Sequence, residues 1–200
     1  MKKYLAIEGA DGSGKTVLSK VLAQKLNAFW TYEPNGETPE LKSLRLMALT
    51  QNKDMTDEAR EYIMLANRSI HFKKNILPNL EKNIPIVTDR SFFSGMVYSA
   101  IKTYDFGIWL ELLSKMNIPV LPDTLVFCRS SKRKIEKNLG DIYDNAEQET
   151  IDRIDTLYEK GLNLLKTYPQ LFNNIKVVEF YNDFELSIEE NADNLIKILY

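Results

Sequence analysis

Ile7-Glu8-Gly9-Ala10-Asp11-Gly12-Ser13-Gly14-Lys15-Thr16 sets a glycine, four further residues and then Gly-Lys-Thr directly after a short apolar run. Polyphosphate is held by several backbone N–H groups at once, so the chain must approach the ligand more closely than side chains normally allow. Gly9, Gly12 and Gly14 permit that approach, with Ala10, Asp11 and Ser13 supplying the intervening amides. Lys15 is then suited to neutralise β- and γ-phosphate charge and the Thr16 hydroxyl to ligate magnesium, while the following helix turns its positive end to the phosphates. A glycine-rich strand-to-helix turn without a ligand is the plain alternative. The context argues against it: Tyr4-Leu5-Ala6-Ile7 is strand-like, and Val17, Leu18, Val21, Leu22 and Leu26 recur along one helical face.

Outward from this loop, strands and helices alternate. Residues 28–32 form an aromatic, β-prone run broken by Glu33-Pro34-Asn35-Gly36, and residues 84–88 form an apolar strand closed by Asp89-Arg90. Residues 124–128 are apolar on both faces, as a central parallel strand requires, which makes Cys128 a core residue; residues 176–180 form the last strand. Helical patterns cover 38–49, 58–77, 94–102 and 108–116, a helix start lies at 130–137, and Ile151, Ile154, Tyr158, Leu162 and Leu165 mark a long amphipathic helix. Ser187 with Glu190 forms a capping box for the closing helix. This order implies an α/β fold: a doubly wound, about five-stranded parallel sheet with helices on both faces. Ligands gather at the carboxyl ends of such strands, so the loop, Glu33, Asp89-Arg90 and the segment after Cys128 are expected on one rim.

With 200 residues and 44% hydrophobic content, the chain fits one domain carrying at most a small mobile insertion. A net charge of −2 argues against polymeric nucleic acid or an anionic membrane as a partner. Cys128 is the single cysteine, so no intrachain disulfide forms, which fits a reducing compartment and a cytoplasmic location. The apolar run after Lys2-Lys3 ends at Glu8, too short for a signal peptide core or a membrane span.

Taken in order, the motifs resemble those of the thymidylate kinases, phosphate-loop (P-loop NTPase) kinases that pass the γ-phosphate of ATP to dTMP. The resemblance rests on Glu8 to Thr16, on Tyr32-Glu33-Pro34 with Thr38-Pro39, on Leu65-Ala66-Asn67-Arg68 with His71, and on Asp89-Arg90-Ser91 through Ser94-Gly95-Met96-Val97-Tyr98. It spans nearly the whole chain and implies one kinase domain over 1–200, with a mobile lid at about 138–150. It also implies ATP and dTMP as small-molecule substrates, magnesium with the ATP, and a homodimer. By resemblance, Lys15 and the loop amides hold ATP, Asp11 meets the 3′-hydroxyl of the acceptor sugar, and Arg90 holds the acceptor phosphate. Asp89 joins Thr16 near magnesium, Arg68 reads the thymine edge, and Glu33, Ser94 and Tyr98 belong to the acceptor side.

The chain also departs from the family pattern. Met64 stands where an aromatic ring usually stacks on thymine, Ser91 where Tyr is frequent, and Tyr32 where Arg precedes Glu-Pro; the loop at 35–39 is one residue longer. Ile142 occupies the place of a lid arginine, and no Arg or Lys occurs from Asn138 to Ile151. A transferring phosphoryl group needs a cation there, worth roughly 10³–10⁵ in rate where an arginine supplies it. Arg129, Lys132, Arg133, Lys134, Lys137 and Arg153 are the candidates, with Lys134 and Lys137 close on one helical face. His71, the single histidine, reads as a surface or helix-packing residue, and Trp30 and Trp109 as core or interface. A deoxynucleoside kinase shares the loop, the Glu-Pro element and an acidic-Arg-Ser motif, and differs in taking an acceptor without phosphate. A nucleotide-binding module without catalysis is the reading from another class.

Overall fold

A computed structural model describes residues 4–50, 54–101, 105–107, 109–111, 121–130 and 148–200. Five parallel strands form one sheet in the order β2-β3-β1-β4-β5. They are β1 (Tyr4–Glu8), β2 (Phe29–Tyr32), β3 (Ile86–Asp89), β4 (Thr124–Arg129) and β5 (Lys176–Tyr181). The helices are α1 (Lys15–Lys25), α2 (Pro39–Leu49), α3 (Asp57–His71), α4 (Leu77–Glu81), α5 (Phe92–Ser99), α6 (Gln148–Thr167) and α7 (Ile188–Leu199). The sheet and its crossovers are those expected from the alternation of apolar runs.

Strand alternation divides the core between two layers. On one face, Leu5, Ile7, Val87, Val126, Cys128, Val178 and Phe180 pack against Leu18 and Leu22 of α1 and Ala192 and Leu195 of α7. Leu18 and Leu22 are fully buried, so truncating either to Ala should cost about 2–5 kcal/mol. On the opposite face, Leu125 and Phe127 meet Phe92, Phe93 and Met96 of α5 and Leu157, Tyr158 and Leu162 of α6. Trp109 joins this second cluster, while Trp30 packs partly buried against the first and donates Nε1–H to Ser19 Oγ at 3.0 Å.

Two helices differ from expectation. The pattern over 58–77 predicts one helix, whereas α3 ends at His71, widens into a π-helical turn at Phe72–Ile76 and resumes as α4. Pro78 explains the change, because it has no N–H to donate and its ring crowds the carbonyl one turn back; the wider turn absorbs the mismatch. Likewise α5 begins at Phe92 rather than near Ser94, because the Ser91 side chain accepts from Phe93 N–H at 3.3 Å and caps the helix two residues earlier. Of the expected helix at 108–116, only residues 109–111 are described. Of the expected helix start at 130–137 only Ser130 is described; of the expected lid at about 138–150, residues 148–150 are the first residues of α6, and 138–147 lie outside the described residues.

The strand ends share one rim. β3 and β4 flank β1, and the chain from β3 to β4 crosses over β1, so the ladder reverses direction around the phosphate loop. This is the crevice in which open α/β sheets bind ligands.

Candidate active site

The loop leaves β1 in backbone shapes that need glycine. Gly9 has φ +147°, and a Cβ there would lie 2.5 Å from the carbonyl oxygen of Cys128 on β4. Gly14 sits at φ +81° as the N-cap of α1, with Asn182 Nδ2 2.3 Å from where its Cβ would be. β4 and the residue after β5 hold the loop in turn: Asn182 Nδ2 donates to Ser13 O at 2.9 Å, and Cys128 Sγ lies 3.5 Å from the same oxygen.

Within this frame Lys15 is buried, its Nζ donating to Ala10 O at 3.3 Å and to Asp11 Oδ1 at 3.2 Å. Burial and the nearby Arg90 charge lower its pKa. Thr16 Oγ1 lies 2.5 Å from Asp89 Oδ2, so the two residues singled out for magnesium meet across α1 and β3. Asp89 Oδ1 is buried and has no protein partner among the described residues. No three of His, Cys, Asp or Glu cluster as a metal site among the described residues. One hydroxyl and one carboxylate with a spare oxygen suit magnesium, which binds through one or two protein groups and takes its other oxygens from water and phosphate.

Arg90 is the hub of the rim. It follows β3 in the left-handed region at φ +69°, yet its N–H still reaches Ile7 O at 2.9 Å. A bulky residue held there marks stored strain, which collects at functional sites. Its Nη1 donates to Ser94 Oγ at 2.9 Å, to Tyr158 OH at 2.8 Å and to Gly9 O at 3.4 Å. Its Nη2 pairs with Asp11 Oδ1 and reaches Tyr98 OH at 3.3 Å, and the guanidinium lies 5.3 Å from the Tyr98 ring centroid. Tyr98 in turn donates to Asp11 Oδ2 at 3.1 Å. Burial would raise the Asp11 pKa, but Arg90 and Lys15 outweigh it and hold the carboxyl well below the usual range. The Asp11 side chain is 53% exposed, so solvent screens part of that pull.

Two residues of this cluster carried no role in the sequence. Glu8 is fully buried beneath the loop and accepts from Ser91 Oγ at 2.7 Å, Ser94 N at 3.2 Å and Ser94 Oγ at 2.5 Å. Burial pushes its carboxyl up, against the pull of Ser94 and Arg90. Tyr158 was visible only as a core position on α6, and its hydroxyl closes the ring by meeting Ser94 Oγ at 3.1 Å. Ser94 therefore faces inward, toward Glu8 and Arg90.

The second cluster lies at the end of β2. Glu33 Oε2 accepts from Arg68 Nε at 2.6 Å, with side-chain exposures of 6% and 8%. Burial raises the Glu33 pKa, but Arg68 and His71 prevail and lower it. Asn67 ties the helix to this loop, accepting from Asn35 N at 2.9 Å and donating to Asn35 O at 2.8 Å and Leu41 O at 3.0 Å. Met64 sits half-buried one turn before Arg68. His71 is not on the surface: it is fully buried between Thr31 and Glu33, because α3 lays that face on β2. Among the candidate lid cations, Arg129 is engaged by Glu159 and Glu179, and Arg153 donates Nη1–H to Ile101 O at 2.9 Å. Lys132, Arg133, Lys134, Lys137 and Ile142 lie outside the described residues.

A phosphate loop after β1, a rim arginine after β3 bridging to its aspartate, and a buried arginine on α3 that reaches Glu33 after β2 and Ser91 O thus lie at three adjacent strand ends. A family model described as thymidylate kinase matches residues 7–188. The chain belongs to the thymidylate kinase family. It is a phosphate-loop nucleotide kinase, a match that favours a monophosphate kinase over a deoxynucleoside kinase or a non-catalytic module. A thymidylate kinase of Helicobacter pylori is 33% identical over 96% of this chain and 93% of its own length. A probable thymidylate kinase of Methanococcus aeolicus is 29% identical over 100% of this chain and 96% of its own. The crystal structure of thymidylate kinase from Ehrlichia chaffeensis aligns with a TM-score of 0.74 at 23% identity, covering 99% of this chain and 98% of that one, a likeness that bears on the fold.

Proposed function

We propose that this thymidylate kinase transfers the γ-phosphate of Mg–ATP to dTMP, giving dTDP. The observation that carries the reading is the convergence of Lys15 and Arg90, from different strand ends, on the Asp11 carboxylate. Two polyanions brought together for in-line transfer need a cation at each end and a dipole-lined seat between them. The loop amides from Gly9 to Thr16 and Lys15 would hold the donor phosphates, and Arg90 the acceptor phosphate. Asp11 bridges Lys15 and Arg90 through one carboxylate oxygen and remains ionised, so it can accept a hydrogen bond from the acceptor sugar hydroxyl. Tyr98 and Met64 line the acceptor side, and Ser94 acts through Arg90.

Thr16 Oγ1 and Asp89 would hold magnesium, which supplies charge neutralisation on the β- and γ-phosphate oxygens when bound. Arg68, clamped by Glu33, offers guanidinium donors to an exocyclic oxygen of the base. A lysine at 134 or 137 is the proposed lid cation in place of the absent arginine, at some loss of bidentate geometry.

A homodimer is proposed as well. In support, α2 and α3 pack on each other and leave Leu46, Met47 and Tyr62 more than half exposed. No described helix is long and apolar enough to cross a membrane. The single cysteine and the net charge of −2 support a cytoplasmic enzyme of small molecules that binds neither polymeric nucleic acid nor membrane.

A coupled ADP-release assay over thymidine, dTMP, AMP and CMP tests the proposal. dTMP is expected to turn over fastest. Faster turnover of thymidine would favour a nucleoside kinase, and ATP binding without acceptor-dependent ADP release would favour the non-catalytic reading.

A further inference from the structure

We infer that His71 is a positioning residue for base discrimination, acting on the Arg68 guanidinium through Glu33. The inference rests on the proposed role of Arg68 and deepens it.

His71 has no exposed surface, and both ring nitrogens have partners: Nε2 lies 2.8 Å from Thr31 Oγ1, and Nδ1 lies 3.4 Å from Glu33 Oε1. The direction of each bond follows from its neighbours. Glu33 is held ionised by Arg68, so its oxygens only accept, and His71 Nδ1 must carry the proton. Thr31 Oγ1 accepts from Asn35 Nδ2 at 3.2 Å and still has its own proton to give. The neutral imidazole protonated on Nδ1 satisfies the whole set. A single relay then runs from Asn35 Nδ2–H to Thr31, from the Thr31 hydroxyl to His71 Nε2, from His71 Nδ1–H to Glu33 Oε1, with Glu33 Oε2 taking Arg68 Nε–H.

At its far end, the relay leaves a donor without an acceptor. Arg68 Nη2 reaches Ser91 O at 3.4 Å, while Nη1 is buried and has no partner among the described residues. The guanidinium lies over Gly95, where a Cβ would be 2.7 Å from Nη1 and 3.0 Å from Nη2. A buried, donor-only group that lacks an acceptor is a demand for a ligand oxygen. It suits a 4-oxo pyrimidine and repels a 4-amino one, whose exocyclic nitrogen donates. The sharpness of that choice depends on how tightly the guanidinium is fixed. A Glu33 carboxylate with one oxygen on Arg68 and the other on His71 cannot rotate away, whereas without His71 one oxygen is released and the guanidinium gains freedom with it.

Kinetics with dTMP and dCMP as acceptors, read with a tautomer spectrum, test this. His71→Phe should raise the KM for dTMP about tenfold, taking for Arg68 the lower end of the range that applies when the partner orienting a metal ligand is lost. The kcat and the KM for ATP should stay within about twofold, and the ratio of kcat/KM for dTMP over dCMP should fall about tenfold by the same reasoning. His71→Gln, which can still donate to Glu33, should restore most of the ratio. Because the chain has one histidine, ¹⁵N imidazole shifts of the parent report the tautomer directly and do not depend on any variant folding. Nδ1–H is expected. An Nε2–H tautomer, or equal losses for both acceptors in His71→Phe and His71→Gln, would overturn the inference and leave His71 a packing residue. A parent that phosphorylates dCMP as well as dTMP would instead overturn the proposed role of Arg68, and the inference with it.

Discussion

Replacing Arg68 by Met should cost the ligand-free protein about 3–5 kcal/mol, the range for removing one partner of a buried ion pair. The geometry supports the upper part of it. Arg68 Nε and Glu33 Oε2 are 2.6 Å apart, and both side chains are more than nine-tenths buried. Met retains much of the apolar stem, so the loss is that of a carboxylate left in a dry site with only the His71 Nδ1–H at 3.4 Å. Against a total stability of about 5–15 kcal/mol for a single domain, that is a large share. Glu33→Gln should cost a similar amount, because it strands the guanidinium. The double variant Glu33→Gln/Arg68→Met removes both charges and should recover much of the sum of the two losses.

Urea unfolding followed by Trp30 and Trp109 fluorescence measures all four proteins without substrate. A cost below about 1 kcal/mol for Arg68→Met, the value for a solvated surface pair, would refute the reasoning. So would a double variant as unstable as the two single losses added together. The pH dependence gives a second check. The Glu33 carboxyl has a folded pKa below its ordinary value, so at acid pH the unfolded chain binds the extra proton first. The stability it contributes is present above the ordinary value of about 4.3 and is lost as pH falls through the folded value. Glu33→Gln should lack that acid-side loss.

Three further outcomes follow from the rim. Gly9→Ala drives a methyl to within 2.5 Å of a backbone oxygen at φ +147°, so nucleotide affinity by calorimetry should collapse and stability should fall by about 1–3 kcal/mol. Tyr158→Phe removes the hydroxyl that lies 2.8 Å from Arg90 Nη1, and should weaken dTMP binding by about 1 kcal/mol while ATP binding is kept. Asp89→Asn replaces the buried carboxylate beside Thr16, and magnesium titration of the turnover rate should show a half-saturating concentration raised about tenfold or more.

The five strands and the phosphate loop were legible because their signals are local. A central parallel strand is apolar on both faces, and the loop is defined by glycines that close approach demands. The π-helical turn at Phe72–Ile76 was not legible, because apolar positions continue at helical spacing through it and periodicity does not register one extra residue in a turn. In the sequence Tyr158 is one apolar position among several on α6. Spacing assigns a side chain to a face and says nothing about what its hydroxyl meets. The Glu33, Arg68 and His71 cluster escaped for another reason: β2 and α3 come together only in the fold, bringing partners separated by 35 and 38 positions into contact.

Glu8 shows how a local signal and a distant one combine. Alternation along β1 turns Ile7 toward α1 and Glu8 toward α5, so a carboxylate at the strand end must be buried or the strand must stop. Three hydrogen bonds from Ser91 and Ser94 offset the desolvation of its burial, and those bonds tie the start of α5 to the strand end. With α5 fixed there, the single residue between β3 and Ser91 has to turn sharply while its N–H stays on Ile7 O. Arg90 accordingly takes the left-handed conformation that directs its guanidinium back over Gly9 and Asp11. The acid before the loop and the arginine after β3 are therefore one device. Glu8 sets the helix, the helix sets the turn, and the turn presents the cation.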